Sequence, residues 1–130
     1  MDLYSSPFLR ICLQSDKNLL IVSWLKQSKT LATEEIKNEV TTMLDYIDQH
    51  SIENIIIDSS EYYFTENEEL QSWINYKFML MIMNKPVKKY GFVMKSLGRK
   101  YENHWSESND HDLKVAYFLN LNDAQKWINA

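Results

Sequence analysis

Two histidines and two aspartates in the C-terminal half are the first residues to consider for chemistry, because together they have the side chains that bind metal ions. His104 and His111 stand seven positions apart, and Asp110 and Asp112 flank the second histidine. Zinc sites combine Cys and His at short characteristic spacings, whereas this spacing matches none of them and no cysteine is near. We interpret the four side chains as exposed loop residues and expect no metal site.

Patterns typical of catalysis are otherwise absent from the sequence. A serine hydrolase usually brackets its nucleophile with glycines, but neither Gly91 nor Gly98 flanks such a serine. No pair of residues that would act as acid and base inside a pocket can be named either. We therefore expect a chain without enzymatic activity and without a cofactor.

The segment 95–100, with the sequence KSLGRK, is basic and follows a predicted strand. It lacks the glycine and lysine spacing of a P-loop, whose backbone amides hold phosphates. Lys95, Arg99 and Lys100 are candidates to bind an anion, either a phosphate or an acidic partner. The alternative is that these residues form a solvated strand end.

A second candidate site lies where the predicted buried strand Ile52–Asp58 ends. Ligands of open α/β sheets bind at the carboxyl ends of the strands, and Asp58, Ser59 and Ser60 supply polar groups there. The two hydroxyls, with the amides of the following helix, would suit a small polar or anionic ligand. The alternative is local, since an aspartate in a turn often accepts hydrogen bonds from nearby backbone amides.

The run Tyr62-Tyr63-Phe64 places three aromatic rings between that strand and the second predicted helix, in a loop that we expect at the surface. These rings, with Trp73 early in the helix, are candidates to contact a ligand or partner. They could line a lipid or other apolar pocket or a dimer interface, and ordinary core packing is the alternative. The side chains that would join either are Tyr76, Met79, Met81, Met83 and Trp105.

Short apolar segments predict the strands that would position these sites. Phe8–Leu13 and Leu19–Leu25, separated by a polar turn, predict an antiparallel hairpin. Ile55-Ile56-Ile57 is a branched run without alternation, which is typical of a strand buried on both faces. Tyr90–Met94 and Leu113–Leu119 predict two further strands.

Three helices are predicted between and after these strands. Thr33 is expected to cap the first, which ends near residue 50. Thr65 and Glu68 form a capping-box pattern for the second, which Pro86 ends. Its last turns are apolar nearly all round, so we expect more than one of its faces to be covered. Asn120 suits the start of a short C-terminal helix.

The order of these elements predicts an α/β fold in a single domain of residues 1–130. The sheet would be mixed, with about five strands and an N-terminal antiparallel hairpin. Three or four helices would pack on it.

Three stretches of the chain carry a resemblance to a known family: Ile55-Ile56-Ile57-Asp58, Glu69-Leu70-Gln71-Ser72-Trp73-Ile74, and the closing Phe118, Ala124, Trp127 and Ile128. With the element order, they resemble the SpoIIAA-like fold of STAS domains, found in anti-sigma-factor antagonists and sulfate transporters. The closer resemblance is to small stand-alone bacterial proteins described as STAS-like. It implies a regulatory domain that acts through protein contacts.

The resemblance does not extend to the family's phosphorylation switch. Anti-sigma-factor antagonists carry a phosphorylatable serine, in an Asp-Ser pair, at the start of the helix after this strand. Counting from Asp58 by the family spacing places Glu66-Asn67 at that pair, so the target hydroxyl is absent. Ser59 and Ser60 lie too early to replace it. We therefore expect a fold of this type without partner switching by phosphoserine.

Cysteine content and the distribution of apolar residues indicate the compartment. Cys12 is the single cysteine, so no intramolecular disulfide can form, and we expect its thiol half-buried in a strand. The N-terminus lacks the basic start and apolar run of a signal peptide, and no apolar stretch approaches the roughly 20 residues of a membrane helix. We expect a cytoplasmic protein without membrane insertion.

Charge is distributed unevenly along the chain, although the net charge is only −4. From Glu34 to Glu69 there are eleven acidic residues and one basic residue, whereas Lys77 to Lys100 contains seven basic residues and no acidic one. Such polarity can steer partners or order a dimer, and solvated faces of separate elements are the alternative. An acidic chain is not expected to bind nucleic acid.

Two functions from different classes remain open at this point. The first is a non-enzymatic binding or regulatory module of the STAS-like type, which contacts itself as a homodimer or another regulatory protein. Its surface would include Tyr62-Tyr63-Phe64 and the start of the second helix. The alternative is a carrier or sensor of a small apolar or amphipathic ligand, bound between the sheet and that helix.

Overall fold

The computed structural model describes residues 2–60, 68–83, 85–94 and 114–130, and in these ranges the chain forms six strands and three helices. The strands are β1 (Asp2–Ser5), β2 (Leu9–Gln14), β3 (Leu19–Trp24), β4 (Asn54–Ser59), β5 (Lys89–Met94) and β6 (Lys114–Phe118). The helices are α1 (Thr33–Asp48), α2 (Glu68–Met83) and α3 (Leu121–Asn129).

The six strands form one sheet and pair in chain order from β1 to β6. β2 is antiparallel to both of its neighbours, β1 and β3, whereas β3, β4, β5 and β6 are parallel. The predicted hairpin is β2–β3, paired from Leu9 opposite Trp24 to Gln14 opposite Leu19. Parallel strands need a crossover, and α1 and α2 supply two of them. The prediction of a mixed α/β sheet is therefore confirmed, although about five strands is an undercount.

β1 is the strand that the sequence did not predict. It has four residues at the edge of the sheet, with an irregular register between Asp2 and Tyr4. The Tyr4 hydroxyl donates a hydrogen bond to Glu39 Oε2 of α1 at 3.2 Å, and its ring centroid lies 5.6 Å from that of Tyr46. Contacts with a distant helix thus hold this strand, and a four-residue pattern does not contain that information.

β4 divides the core into two parts. Ile55 and Ile57 face α1 and α2, whereas Ile56 faces α3, and all three are at most 4% exposed. This confirms the predicted strand that is buried on both faces. Each fully buried isoleucine contributes roughly 1.5–3 kcal/mol, so β4 anchors both layers of helices to the sheet.

The residue that caps the N-terminus is the predicted one in α3 but not in α1. Thr33 is the first residue of α1 rather than its cap, so that prediction is wrong. The N-cap is Ala32, whose backbone N–H donates to Glu35 Oε1 at 3.1 Å and thereby gains a partner without any hydroxyl. Asn120 caps α3 as predicted, because its Oδ1 accepts from the Asp123 backbone N–H at 2.8 Å.

Candidate interaction site on the outer helices

The carboxyl edge of the sheet brings polar side chains of three strands into one row. Ser23 of β3 lies in register with Arg10 of β2 and with Asp58 of β4, a row that the sequence did not reveal. Asp58, Ser59 and Ser60 are half-buried, and Asp58 Oδ1 accepts a hydrogen bond from the Ser60 backbone N–H at 3.0 Å. This is the local turn interaction that was the alternative to a ligand site. A ligand bound at Asp58, Ser59 and Ser60 stays a prediction.

Several residues singled out from the sequence lie outside the described ranges, and their contacts stay predictions. They are Tyr62, Tyr63, Phe64, Thr65, Glu66, Asn67, Lys95, Arg99, Lys100, His104, Trp105, Asp110, His111 and Asp112. Within the described ranges, no three His, Cys, Asp or Glu side chains form a group that could hold a metal ion. Cys12 is half-buried in β2. None of the helices described here is long and apolar enough to cross a membrane.

Trp73 is the aromatic contact residue predicted from sequence that the structure does describe. It lies half-buried in α2, at the boundary with α1. Lys37 Nζ of α1 stands 5.2 Å from the centroid of its ring, and Lys77 Nζ stands 5.7 Å from it. Each cation–π contact near the surface is worth about 0.5–1 kcal/mol, so the two lysines help to fix the indole between the helices.

Among the α2 side chains that the structure describes, Tyr76 and Leu80 are the large apolar ones that are exposed. Their exposed fractions are 60% and 42%. They follow Glu69 and Trp73 at steps of four, three and four residues, which is the spacing at which one helix packs along another. We refer to Trp73, Tyr76 and Leu80 as the outer α2 strip.

The other side of α2 packs against the sheet. Leu70, Ile74 and Phe78 are each at most 7% exposed. α2 therefore carries apolar residues on two sides, although the sheet accepts only one of them. In the last turns of α2 Leu80 is exposed, whereas the side chains of Met79, Ile82 and Met83 are outside the described part of the chain, so the expectation that more than one face is covered stays a prediction. The heptad-like spacing is the sequence signal of this strip, and the sequence leaves an apolar pocket, a dimer interface or ordinary core open for Tyr76.

Acidic residues outnumber basic ones on the two helices that carry and adjoin the outer α2 strip. α1 and α2 together contain seven acidic and two basic residues, a net charge of −5. Glu34 and Asp45 are exposed on α1, and Glu69 is exposed on α2. The two basic residues, Lys37 and Lys77, both stand over the Trp73 ring. Two of the carboxylates on α1 have lysine partners, since Glu34 Oε1 lies 4.0 Å from Lys37 Nζ and Asp48 Oδ1 lies 2.8 Å from Lys85 Nζ.

Tyr90 of β5 carries a buried hydroxyl. The residue is 2% exposed, and its Oη has no hydrogen-bond partner in the part of the chain that is described. Its ring meets Phe78 of α2 edge-on at 5.8 Å between centroids and lies 4.5 Å from Phe92, which stacks on Tyr117 at 5.2 Å. Burial, with a smaller effect of Tyr117, raises the pKa of the Tyr90 phenol well above its usual value. The phenol therefore stays protonated and offers a neutral donor.

Lys89, the residue before Tyr90, ties the other face of the sheet to α3. Its Nζ donates to the carbonyl oxygens of Trp127 and Ala130, each at 2.9 Å, and lies 5.5 Å from the centroid of the Trp127 ring. Desolvation, followed by the nearby charge of Lys114, lowers the pKa of the Lys89 ammonium. The side chain caps the C-terminal end of a helix, where cations are favoured, and we assign it a structural role.

Comparison with protein-family models, with curated proteins and with solved structures finds no match to this chain. The resemblance to STAS domains, and the function that it implies, therefore stay predictions.

Proposed function

We propose that this chain is a non-enzymatic binding or regulatory module of the STAS-like type, which acts through protein–protein contacts on the outer side of α2. The observation that carries the proposal is the 60% exposure of Tyr76 next to the exposed Leu80. Exposed apolar side chains grouped together mark interaction sites, and Trp and Tyr contribute most to the binding energy of such sites.

The neighbourhood of Trp73 also supports the proposal. Lys37 and Lys77 hold the indole from α1 and α2, so a partner would meet an aromatic surface with little side-chain freedom left to lose. Surfaces that are ordered before binding lose less entropy when the complex forms. The inner side of α2 is buried against the sheet, which fixes the direction in which the strip points.

Another regulatory protein, rather than a second copy of this chain, is the occupant that we propose. Two copies related by a two-fold axis would present the same surface to each other, and both would bring the net charge of −5 of α1 and α2. Like charges across an interface disfavour association. We expect a monomer at high micromolar concentration in size-exclusion chromatography with light scattering. A dimer that Tyr76→Ser disrupts would show that the occupant is a second copy.

Affinity capture from a lysate of the source organism, with three versions of the full chain, tests the surface. The versions are the wild type, the double variant Tyr76→Ser with Leu80→Ser, and a control with Asn122→Ser and Lys126→Ser on the exposed part of α3. The proposal would be supported by a protein that the wild type and the control retain and that the α2 variant loses. Once purified, that protein must also bind the wild type and the control more tightly than the α2 variant. Proteins retained equally by all three would contradict it.

A second candidate function, the carrier or sensor of a small apolar ligand between sheet and α2, is favoured by Tyr90. A buried hydroxyl without a partner destabilises a fold by about 1–3 kcal/mol, and a ligand with a hydrogen-bond acceptor would remove that penalty. Native mass spectrometry of freshly purified protein tests this function. A retained small molecule that Tyr90→Phe loses would support it, whereas ligand-free protein alone would contradict it.

A further inference from the structure

The spacing along the outer side of α2 indicates the shape of the partner. Glu69, Trp73, Tyr76 and Leu80 lie within twelve residues, and the first and last of them are about 16 Å apart along the helix axis. Steps of four and three residues keep these positions in a line nearly parallel to that axis. A line of about three helical turns is matched by the apolar side of another helix, as in complexes in which an amphipathic helix lies along a groove.

The first position of that line determines the charge that the partner needs. Glu69 occupies it, and its exposed carboxylate adjoins the apolar side chains that follow. Glu34 on the neighbouring helix leaves 84% of its side chain exposed while its Oε1 lies 4.0 Å from Lys37 Nζ, and Asp45 is exposed further along α1. A partner that covers Tyr76 and Leu80 would therefore bring its flanking residues close to carboxylates. Lysine or arginine at those flanks would be attracted, whereas glutamate or aspartate would be repelled.

We infer, resting on the function proposed above, that the partner is a protein with an amphipathic helix whose apolar side chains are flanked by lysine or arginine. Its apolar side chains contact Trp73, Tyr76 and Leu80, and its cations face Glu34, Asp45 and Glu69. Because the charges are at the surface, salt weakens the complex and slows its formation.

A selection from a displayed library of 20-residue helical peptides, made on the immobilised full chain, tests the inference and does not require the partner to be identified. The expected binders carry a net positive charge and apolar residues at heptad spacing. Their affinity, measured by fluorescence anisotropy, is expected to fall at least about tenfold with Tyr76→Ala, since aromatic residues at the centre of an interface dominate binding. It is also expected to fall several-fold with Glu69→Gln and between about 50 and 300 mM salt.

Lys126→Ala on α3 is the matched control and is expected to leave the affinity unchanged. Thermal unfolding checks that each variant is folded, and because Tyr76 is 60% exposed we expect its replacement to be tolerated. Neutral or acidic peptides that lose binding with Tyr76→Ala would overturn the inferred partner chemistry and leave the docking surface standing. Peptides unaffected by Tyr76→Ala, or a selection that yields no binders, would overturn both.

Discussion

Replacing Tyr90 with phenylalanine removes a buried hydroxyl that has no hydrogen-bond partner among the described residues and keeps the ring. We expect the free energy of unfolding of the ligand-free protein to rise by about 1–3 kcal/mol, because folding no longer desolvates an unpaired hydroxyl. The ring contacts with Phe78 and Phe92, at 5.8 and 4.5 Å between centroids, remain. For a chain of this length the gain corresponds to an increase in Tm of roughly 3–10 °C.

The same substitution changes how stability depends on alkaline pH. Burial raises the pKa of the Tyr90 phenol in the folded protein, whereas a tyrosine in the unfolded chain titrates near 10. Above that pH the unfolded state releases a proton that the folded state keeps, so rising pH favours unfolding of the wild type. The advantage of Tyr90→Phe over the wild type is therefore constant below pH 10 and grows by up to about 1.4 kcal/mol per pH unit above it.

Urea unfolding followed by circular dichroism, from pH 7 to pH 10.5, measures both effects on protein that native mass spectrometry shows to be ligand-free. Tyr76→Phe is the matched control, because it removes a hydroxyl from an exposed tyrosine and should change stability by less than about 0.5 kcal/mol. A loss of about 1 kcal/mol or more in Tyr90→Phe would show that the phenol is hydrogen-bonded in solution. That result would refute the reasoning and remove the support for a ligand at this site.

Three further substitutions test how the fold holds its sheet and its last helix. Lys89→Met removes the ammonium that donates to the carbonyl oxygens of Trp127 and Ala130, so hydrogen exchange at the end of α3 should accelerate about tenfold. Unchanged exchange would show that this cap does not hold the helix. Asn120→Ala removes the N-cap and should lower the free energy of unfolding by about 1 kcal/mol, whereas Asn120→Asp keeps an acceptor and should change little. Gly91→Ala adds a Cβ whose nearest contacts lie at 3.5–3.7 Å, so stability should stay equal or rise by up to about 1 kcal/mol. A clear loss with Gly91→Ala would contradict the packing around it.

The parts of the fold that follow from the sequence are those in which a short stretch carries its own signal. Ile55, Ile56 and Ile57 are apolar on both faces of one strand, and only a position between two layers of helices buries all three. Asn120 is a cap because its side chain bonds a backbone amide three residues away. Both predictions are confirmed. They could be made because the interactions involve only residues that lie close together in the sequence.

The predictions that were wrong depend on contacts that local patterns do not contain. β1 was missed because it has four residues, and its anchor, the hydrogen bond from Tyr4 to Glu39, joins positions 35 apart. Threonine suits a cap position, which is why the sequence predicts Thr33 there, but Glu35 instead reaches back to the amide of Ala32. The local sequence allows the helix to start at either residue, and the contact between Glu35 and the Ala32 amide is seen only in the folded chain.

α2 shows why the candidate site needed a structure as well as a sequence. Its inner series, Leu70, Ile74 and Phe78, and its outer series, Trp73, Tyr76 and Leu80, are both apolar and both fit a helical period. Hydrophobicity therefore cannot decide which series packs on the sheet, and the low amphipathicity of the whole helix is a consequence of having two such series. The parallel crossover from β4 to β5 places one side of α2 on the sheet and turns the other outward. An outer series of this kind leaves apolar surface in water that a partner helix would cover, and its acidic border limits which helix can do so.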